Sequence, residues 1–181
     1  MRRHQISCPL VFDSIPDHDL HKNDILLKIK ESGGQLISNE GNSGITSVIT
    51  SGDYFRESER LYEPLFFEII GSTPRKLLEQ FICIESDSAE CQLQKPWYQQ
   101  YYNGDTHSWH DHTGGSSFSF IYYLELPEGT PGTEFLDPWS GCIHTPEVKE
   151  GDLLVFPSFV LHRSPPNQSD KRKTIISVNV T

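Results

Sequence analysis

The side chains best suited to chemistry in this sequence are histidines near its centre, where residues 97–112 read WYQQYYNGDTHSWHDH. Residues two apart on a β-strand point to the same face, so a strand here directs His110 and His112 toward one point. A third histidine, His162, follows the apolar stretch 151–157, which is predicted to be a strand. Three imidazoles suit a divalent first-row metal such as iron, zinc, copper or nickel. We therefore treat these histidines as candidate metal ligands, with a pair of solvated surface histidines as the alternative.

Three further side chains near this motif are weaker candidates for the metal. His107 lies three residues before His110, and His144 lies in a predicted loop. Asp111 is the nearest carboxylate, but strand alternation directs it away from His110 and His112 unless a bulge reorients it.

An arginine that follows the third histidine is a candidate for binding an anion. Arg172 lies ten residues after His162, at the start of a predicted strand. A guanidinium that points into a barrel holds a carboxylate through two parallel hydrogen bonds. The alternative is a basic surface turn, because Lys171 and Lys173 flank the arginine.

The first half of the chain has helical patterns that would support such a site. Apolar spacing and stop signals predict helices over Asp19–Glu31, over Leu61–Ile70 and from Ser72 onward. The stretch Ser38–Gly52 is rich in Gly, Ser, Asn and Thr, which predicts a long functional loop.

From Cys91 onward the apolar pattern changes to a period of two, interrupted by turn residues. The predicted strands are Cys8–Phe12 in the front half and Gln92–Tyr102, Trp109–His112, Ser117–Leu126, Thr133–Leu136, Asp152–Phe156 and Lys173–Val180 in the second half. Short strands at this spacing after a helical front predict a mainly β protein, a barrel or jelly roll braced by N-terminal helices.

Length and composition limit the classes of function. A chain of 181 residues is expected to form one domain, with residues 1–90 as helical support and 91–181 as the β core. A formal net charge of −10 argues against nucleic acid or an anionic membrane as the main partner. The four cysteines form no C-x-x-C pair, and we find no signal peptide or membrane-spanning stretch. The expectation is a cytoplasmic protein with reduced thiols.

The order of the motifs resembles that of the iron(II)- and 2-oxoglutarate-dependent oxygenases, in particular their prolyl-hydroxylase-like branch. The motifs are Y-x-x-G at Tyr101, H-x-H at His110, I-Y-Y-L at 121–124, G-D-L-L-V-F-P at 151–157, and then His162 followed by Arg172. The resemblance covers residues 95 to 180, and residues 1 to 60 match only loosely.

The resemblance implies a double-stranded β-helix, a jelly-roll or cupin-like fold, with iron(II) at its mouth. His110, His112 and His162 would hold the metal. Arg172 would bind the far carboxylate of the cosubstrate 2-oxoglutarate, with help from Tyr123, Tyr101 and Thr174. The implied reaction uses O2 to hydroxylate a C–H bond, in a peptidyl residue of the prolyl type or in a small molecule.

One position departs from the pattern of the family. The usual ligand set is two histidines and one carboxylate, written H-x-D, whereas this sequence has His112 at the carboxylate position. A neutral imidazole there makes the metal site one charge more positive. Because histidine ligands must be neutral, metal affinity is expected to fall below about pH 6.5.

Two alternatives from other classes stay open at this stage. Three histidines and a water also form catalytic zinc sites, so a metalloenzyme that does not use 2-oxoglutarate, either a dioxygenase or a zinc hydrolase, fits the same ligands. The loss of H-x-D would also fit a barrel that binds a ligand without catalysis. A homodimer is compatible with exposed strand edges, and the substrate is not readable from the sequence.

Overall fold

The computed structural model describes residues 8–40, 46–81 and 92–181. Its helices lie in the first half of the chain, as predicted: α1 is His18–Ser32, α2 is Glu63–Ile70 and α3 is Thr73–Leu78. Pro64 lies in the first turn of α2, where a missing N–H does not break a helical hydrogen bond. Any part of the predicted third helix beyond residue 81 lies outside the described residues.

The strands of the described residues form two antiparallel sheets. The larger sheet has the order β1-β9-β6-β11-β4-β3-β2 and the smaller one the order β5-β10-β7-β8. In chain order the strands are β1 Val11–Ser14, β2 Gln35–Glu40, β3 Thr46–Gly52, β4 Trp97–Tyr101, β5 His107–His110, β6 Phe118–Glu125, β7 Glu134–Leu136, β8 Ile143–His144, β9 Asp152–Pro157, β10 His162–Ser164 and β11 Lys173–Val180. The prediction of a mainly β protein with flanking helices is confirmed, and the sheets form a β-sandwich.

The prediction of a long loop over Ser38–Gly52 is wrong. Strands β2 and β3 pair with each other, and β3 also pairs with β4 at the edge of the larger sheet. Ile37 and Ile49 face each other across this hairpin and are both buried. Buried β-branched residues on one face favour a strand, and here they outweigh the polar composition of the segment.

The larger sheet separates two apolar cores, and strand β11 contributes to both. Ile176 packs with the residues of the helices, in a core that includes Ile25 of α1 and Phe66 of α2. Ile175 packs in the second core, between the two sheets. Because side chains alternate along a strand, Lys173 shares the inter-sheet face with Ile175.

None of the helices in the described ranges is long and apolar enough to cross a membrane.

Candidate metal centre

The three predicted ligand histidines come together at one end of the space between the sheets. His110, the last residue of β5, lies directly opposite His162, the first residue of β10. His112 lies two residues beyond the end of β5, and its backbone N–H donates to the carbonyl of Ser158 at 2.9 Å. One donor atom from each histidine lies within 4.8 Å of the others, close enough for a single ion to contact all three.

Backbone hydrogen bonds orient two of these rings for metal binding. Nδ1 of His110 lies 2.7 Å from the carbonyl oxygen of Ser108, and Nδ1 of His162 lies 3.0 Å from that of Val160. A carbonyl only accepts, so both rings carry their proton on Nδ1 and leave the lone pair of Nε2 available. Histidine ligands of metal sites characteristically donate their second N–H in this way. The donor set therefore fits a divalent metal such as iron(II).

Burial keeps these imidazoles neutral. It lowers the pKa of His112 to about 4, with a further contribution from the positive charge of His110. Burial is also the main cause that lowers the pKa of His110 and, more strongly, that of His162. Neutral histidine is the form that binds metal, so the loss of metal affinity on acidification is expected at a lower pH than the value of about 6.5 for an unperturbed imidazole.

Asp111 and His144, the weaker candidates for metal ligands, do not belong to the three-histidine cluster. Asp111 is exposed, and its Oδ1 accepts from the backbone N–H of Thr113 at 3.1 Å and from its hydroxyl at 2.8 Å. These hydrogen bonds lower the pKa of Asp111. His144 is exposed on β8. Of the described residues, only the three histidines form a group with metal-ligand spacing.

His107 lies beside the triad without joining it. Its ring stacks on that of His110, with 3.9 Å between centroids and 25° between planes. Its ring nitrogens are not part of the group of donor atoms that lie within 4.8 Å of one another. Burial lowers the pKa of His107 to about 3, helped by the charges of His110, His112 and Lys173.

Arg172 does not point into the inter-sheet space, which corrects the prediction. Its Nε and Nη2 donate to the two carboxylate oxygens of Glu125 at 2.7 and 2.8 Å. Thr174, on the same face of the strand, also donates to Glu125 through its hydroxyl. Strand alternation places both side chains on the side of the sheet opposite the histidines. Their predicted role in binding 2-oxoglutarate therefore does not fit their positions.

Lys173, the residue after Arg172, is a cation on the inter-sheet side of the strand, where the alternative prediction was a basic surface turn. Lys173 is fully buried, and its Nζ donates to the hydroxyl of Ser164 and to the carbonyl of Pro131. The same atom lies 4.6 Å from the ring centroid of Tyr101. Burial lowers the pKa of Lys173 to about 7. The apolar alternation Ile176-x-Val178-x-Val180 shares its register with Arg172 and Thr174, so it was the signal that could have placed Lys173 on the opposite face.

The two predicted tyrosines are both buried in the core between the sheets. Tyr101 lines the cavity that contains the histidines. Tyr123 is buried, and its hydroxyl donates at 2.9 Å to that of Thr133, which also lines the cavity. Burial raises the pKa of Tyr123 to about 12, so it stays protonated as a donor.

The cavity has a volume of about 180 Å³ and an aromatic rim. Phe55 and Tyr54 are exposed, with their ring centroids 4.9 Å apart in an edge-on contact. Tyr54 lies 5.1 Å from Trp97, which in turn lies 5.7 Å from His112. A continuous row of rings therefore leads from solvent to His112.

No protein-family model matches the sequence, and no curated protein does. Solved structures do match over nearly the whole chain. A prolyl-4-hydroxylase from Pseudomonas putida is 15% identical, with 96% of this chain and 93% of that chain covered and a TM-score of 0.61. This chain has the fold of the prolyl-hydroxylase-like 2-oxoglutarate–iron(II) oxygenases.

Two more structures show how widely this oxygenase fold is shared. An oxidoreductase of the 2OG-Fe(II) oxygenase family from Burkholderia pseudomallei is 11% identical, with 95% and 84% covered and a TM-score of 0.71. The α-ketoglutarate-dependent epimerase SnoN from nogalamycin biosynthesis is 12% identical, with 96% and 78% covered and a TM-score of 0.67. Enzymes named for different reactions thus share this oxygenase fold, so the fold alone does not specify a reaction.

Proposed function

We propose that this protein is an iron(II)- and 2-oxoglutarate-dependent oxygenase that hydroxylates a peptidyl residue or a small molecule. We also propose that the sandwich is a double-stranded β-helix and that the chain forms one domain. The observation that carries the proposal is a cavity lined by the three-histidine cluster, together with a fully buried lysine that contacts two of the lining residues, Tyr101 and Ser164.

The lysine matters because a buried ammonium is unfavourable unless an anion compensates it. Among the described residues, Lys173 contacts a hydroxyl, a carbonyl and an aromatic ring, but forms no ion pair with a carboxylate. Its lowered pKa has the same cause, which is desolvation without a compensating charge. An anionic group of a ligand in the cavity would supply this charge.

2-Oxoglutarate has the chemistry that these two ends of the cavity require. Its keto-acid end would bind a metal held by His110, His112 and His162, and its far carboxylate would pair with Lys173. Iron(II) held there would allow O2 to hydroxylate a C–H bond while 2-oxoglutarate, as the two-electron co-reductant, takes the second oxygen atom and is converted to succinate and CO2. The protein holds the three imidazoles neutral and oriented, and Tyr123 and Thr133 form a hydrogen-bonded wall nearby.

The substrate would approach across the aromatic rim formed by Phe55, Tyr54 and Trp97. Exposed aromatic rings offer an apolar surface at small entropic cost and hold ring-bearing or apolar groups well. The prolyl substrate suggested by the resemblance and a small cyclic metabolite both fit such a surface.

The test is the anaerobic addition of iron(II) and then 2-oxoglutarate to metal-free protein, followed by visible spectroscopy for the weak charge-transfer band of the chelate. We expect the band in the wild type and in His144→Ala, which removes an exposed histidine outside the cluster. We expect His162→Ala to lose both the band and most of its metal affinity. Metal binding without any effect of 2-oxoglutarate would refute the proposal and favour a three-histidine enzyme of another type.

A further inference from the structure

A fourth histidine of the cavity, His107, differs from the ligand histidines in the direction of its hydrogen bond. Its Nδ1 lies 3.4 Å from Nε2 of Gln99. The other end of that amide, Oε1, accepts from the hydroxyl of Tyr101 at 3.1 Å. An amide nitrogen only donates, so Nδ1 of His107 is an acceptor.

This hydrogen bond fixes the tautomer of His107. A neutral imidazole that accepts at Nδ1 carries its proton on Nε2. His110 and His162 have the opposite tautomer, because their Nδ1 atoms face backbone carbonyls. His107 therefore offers an N–H donor where the ligand histidines offer a lone pair, which explains chemically why it is not a fourth ligand.

His107 lies between the histidine cluster and a residue that contacts Lys173. Its ring stacks on the metal-ligand candidate His110. Its backbone lies opposite Ser164 in the pairing of β10 with β5, and the hydroxyl of Ser164 accepts from Lys173. An anion that reaches from the metal to Lys173 would pass this ring.

We propose that His107 is a positioning residue for the cosubstrate, which donates its Nε2–H to a carboxylate oxygen of 2-oxoglutarate. The inference rests on the proposed function, since it assumes that 2-oxoglutarate occupies the cavity. Gln99 and Tyr101 act through His107, by holding the ring in the donor tautomer.

The experiment compares His107→Phe, which keeps an aromatic ring against His110 but has no donor, with His107→Gln, which keeps an N–H donor. Metal affinity is measured first, without cosubstrate, and then 2-oxoglutarate is titrated anaerobically into the iron(II) protein. A hydrogen bond to a charged group is worth about 10- to 100-fold in affinity. We expect His107→Phe to weaken 2-oxoglutarate binding by that factor, His107→Gln to recover most of it, and both to bind metal as the wild type does.

Two-dimensional ¹H–¹⁵N spectra of metal-free wild type, assigned with His107→Phe, give a readout that does not depend on 2-oxoglutarate. We expect His107 to carry its proton on Nε2 in the wild type. In Gln99→Leu we expect His107 to lose this preference for the Nε2–H tautomer. The Nδ1–H tautomer would overturn the inference, as would unchanged 2-oxoglutarate affinity in His107→Phe. A parallel loss of metal affinity in His107→Phe would also overturn it, since the ring would then only support His110. Wild type that binds metal but not 2-oxoglutarate would refute the proposed function and this inference together.

Discussion

The choice between two adjacent cations, Arg172 and Lys173, gives the sharpest prediction. The sequence motif selects the arginine as the anchor for 2-oxoglutarate, whereas the structure places the lysine on the cavity side. Lys173→Met and Arg172→Met are matched changes, because each replaces a long cation by a flexible apolar chain on opposite faces of the same strand.

Lys173→Met should weaken 2-oxoglutarate binding without a loss of stability, whereas Arg172→Met should reduce stability without an effect on binding. Removing one partner of a buried charge pair costs about 2–5 kcal/mol, so Lys173→Met should weaken 2-oxoglutarate binding by about 30-fold or more. It should leave the unfolding free energy of the empty protein unchanged or higher, since it removes a buried charge. Arg172→Met should leave 2-oxoglutarate affinity unchanged. Its ion pair with Glu125 is one-third exposed on the arginine side, so its loss should reduce stability by only about 1 kcal/mol.

Dependence on pH distinguishes the same two residues without mutation. Burial lowers the pKa of Lys173 to about 7, so at pH 8 only about one lysine in ten is charged in the empty cavity. Binding a carboxylate then requires uptake of one proton, and affinity should fall about tenfold per pH unit above 7. Arginine stays charged throughout this range, so an arginine anchor gives no such slope.

Calorimetric titration of 2-oxoglutarate into the metal-loaded protein between pH 6.5 and 9, in buffers of different ionisation enthalpy, measures both the affinity and the proton uptake. The Lys173→Met profile serves as the control for titration of the metal site itself. A flat wild-type profile, or equal affinity in wild type and Lys173→Met, would refute the assignment of Lys173 as the anchor.

Two further predictions concern stability. The pKa of His112 is lowered to about 4 in the folded protein, so the unfolded chain binds more protons than the folded protein between pH 6.5 and 4. The unfolding free energy of the metal-free protein should therefore fall from pH 6.5 toward 4. Chemical denaturation of His112→Phe should show a smaller dependence of this free energy on pH. Gly151 has φ +89° and a Cβ there would lie 3.0 Å from Cγ of His18, whereas Gly129 has φ +87° and open space around it. Gly151→Ala should thus destabilise the protein by at least about 1 kcal/mol more than Gly129→Ala, and equal midpoints in urea would contradict this reasoning.

The sequence predicted that His110 and His112 lie together because their geometry is local. His162 joins them through the pairing of β10 with β5, which the strand pattern did not predict, whereas His110 and His112 are only two residues apart. Such spacing depends on the backbone period alone. The hairpin of β2 and β3 was missed because its pairing depends on the neighbouring strand β4, which composition does not reveal.

The face of the sheet toward which Arg172 points was mispredicted for a different reason. The spacing from His162 to Arg172 matched a family motif, and this match outweighed the alternation of the strand itself. Ile175 and Ile176 pack in different cores, and this assignment needs the structure. A one-residue difference in register moves a side chain to the other face of a sheet. The tautomer of His107 also could not be predicted from the sequence, since it depends on a hydrogen bond with Gln99 of the other sheet.

The charge balance of the cavity offers a reason for a lysine at position 173. With His112 in place of a carboxylate, the net charge of the filled site is zero, because the charge of iron(II) cancels that of 2-oxoglutarate and the three imidazoles are neutral. A charged anchor then brings the net charge of the filled site to about +1. A lysine with a lowered pKa loses its charge when the cavity is empty, whereas an arginine at the same position would stay charged. Lys173→Arg should therefore keep 2-oxoglutarate affinity level between pH 7 and 9 and lower the unfolding free energy of the empty protein above pH 7. Titration and denaturation of this variant beside the wild type measure both effects. A variant that keeps the wild-type slope with pH would show that the slope does not come from the charge on residue 173.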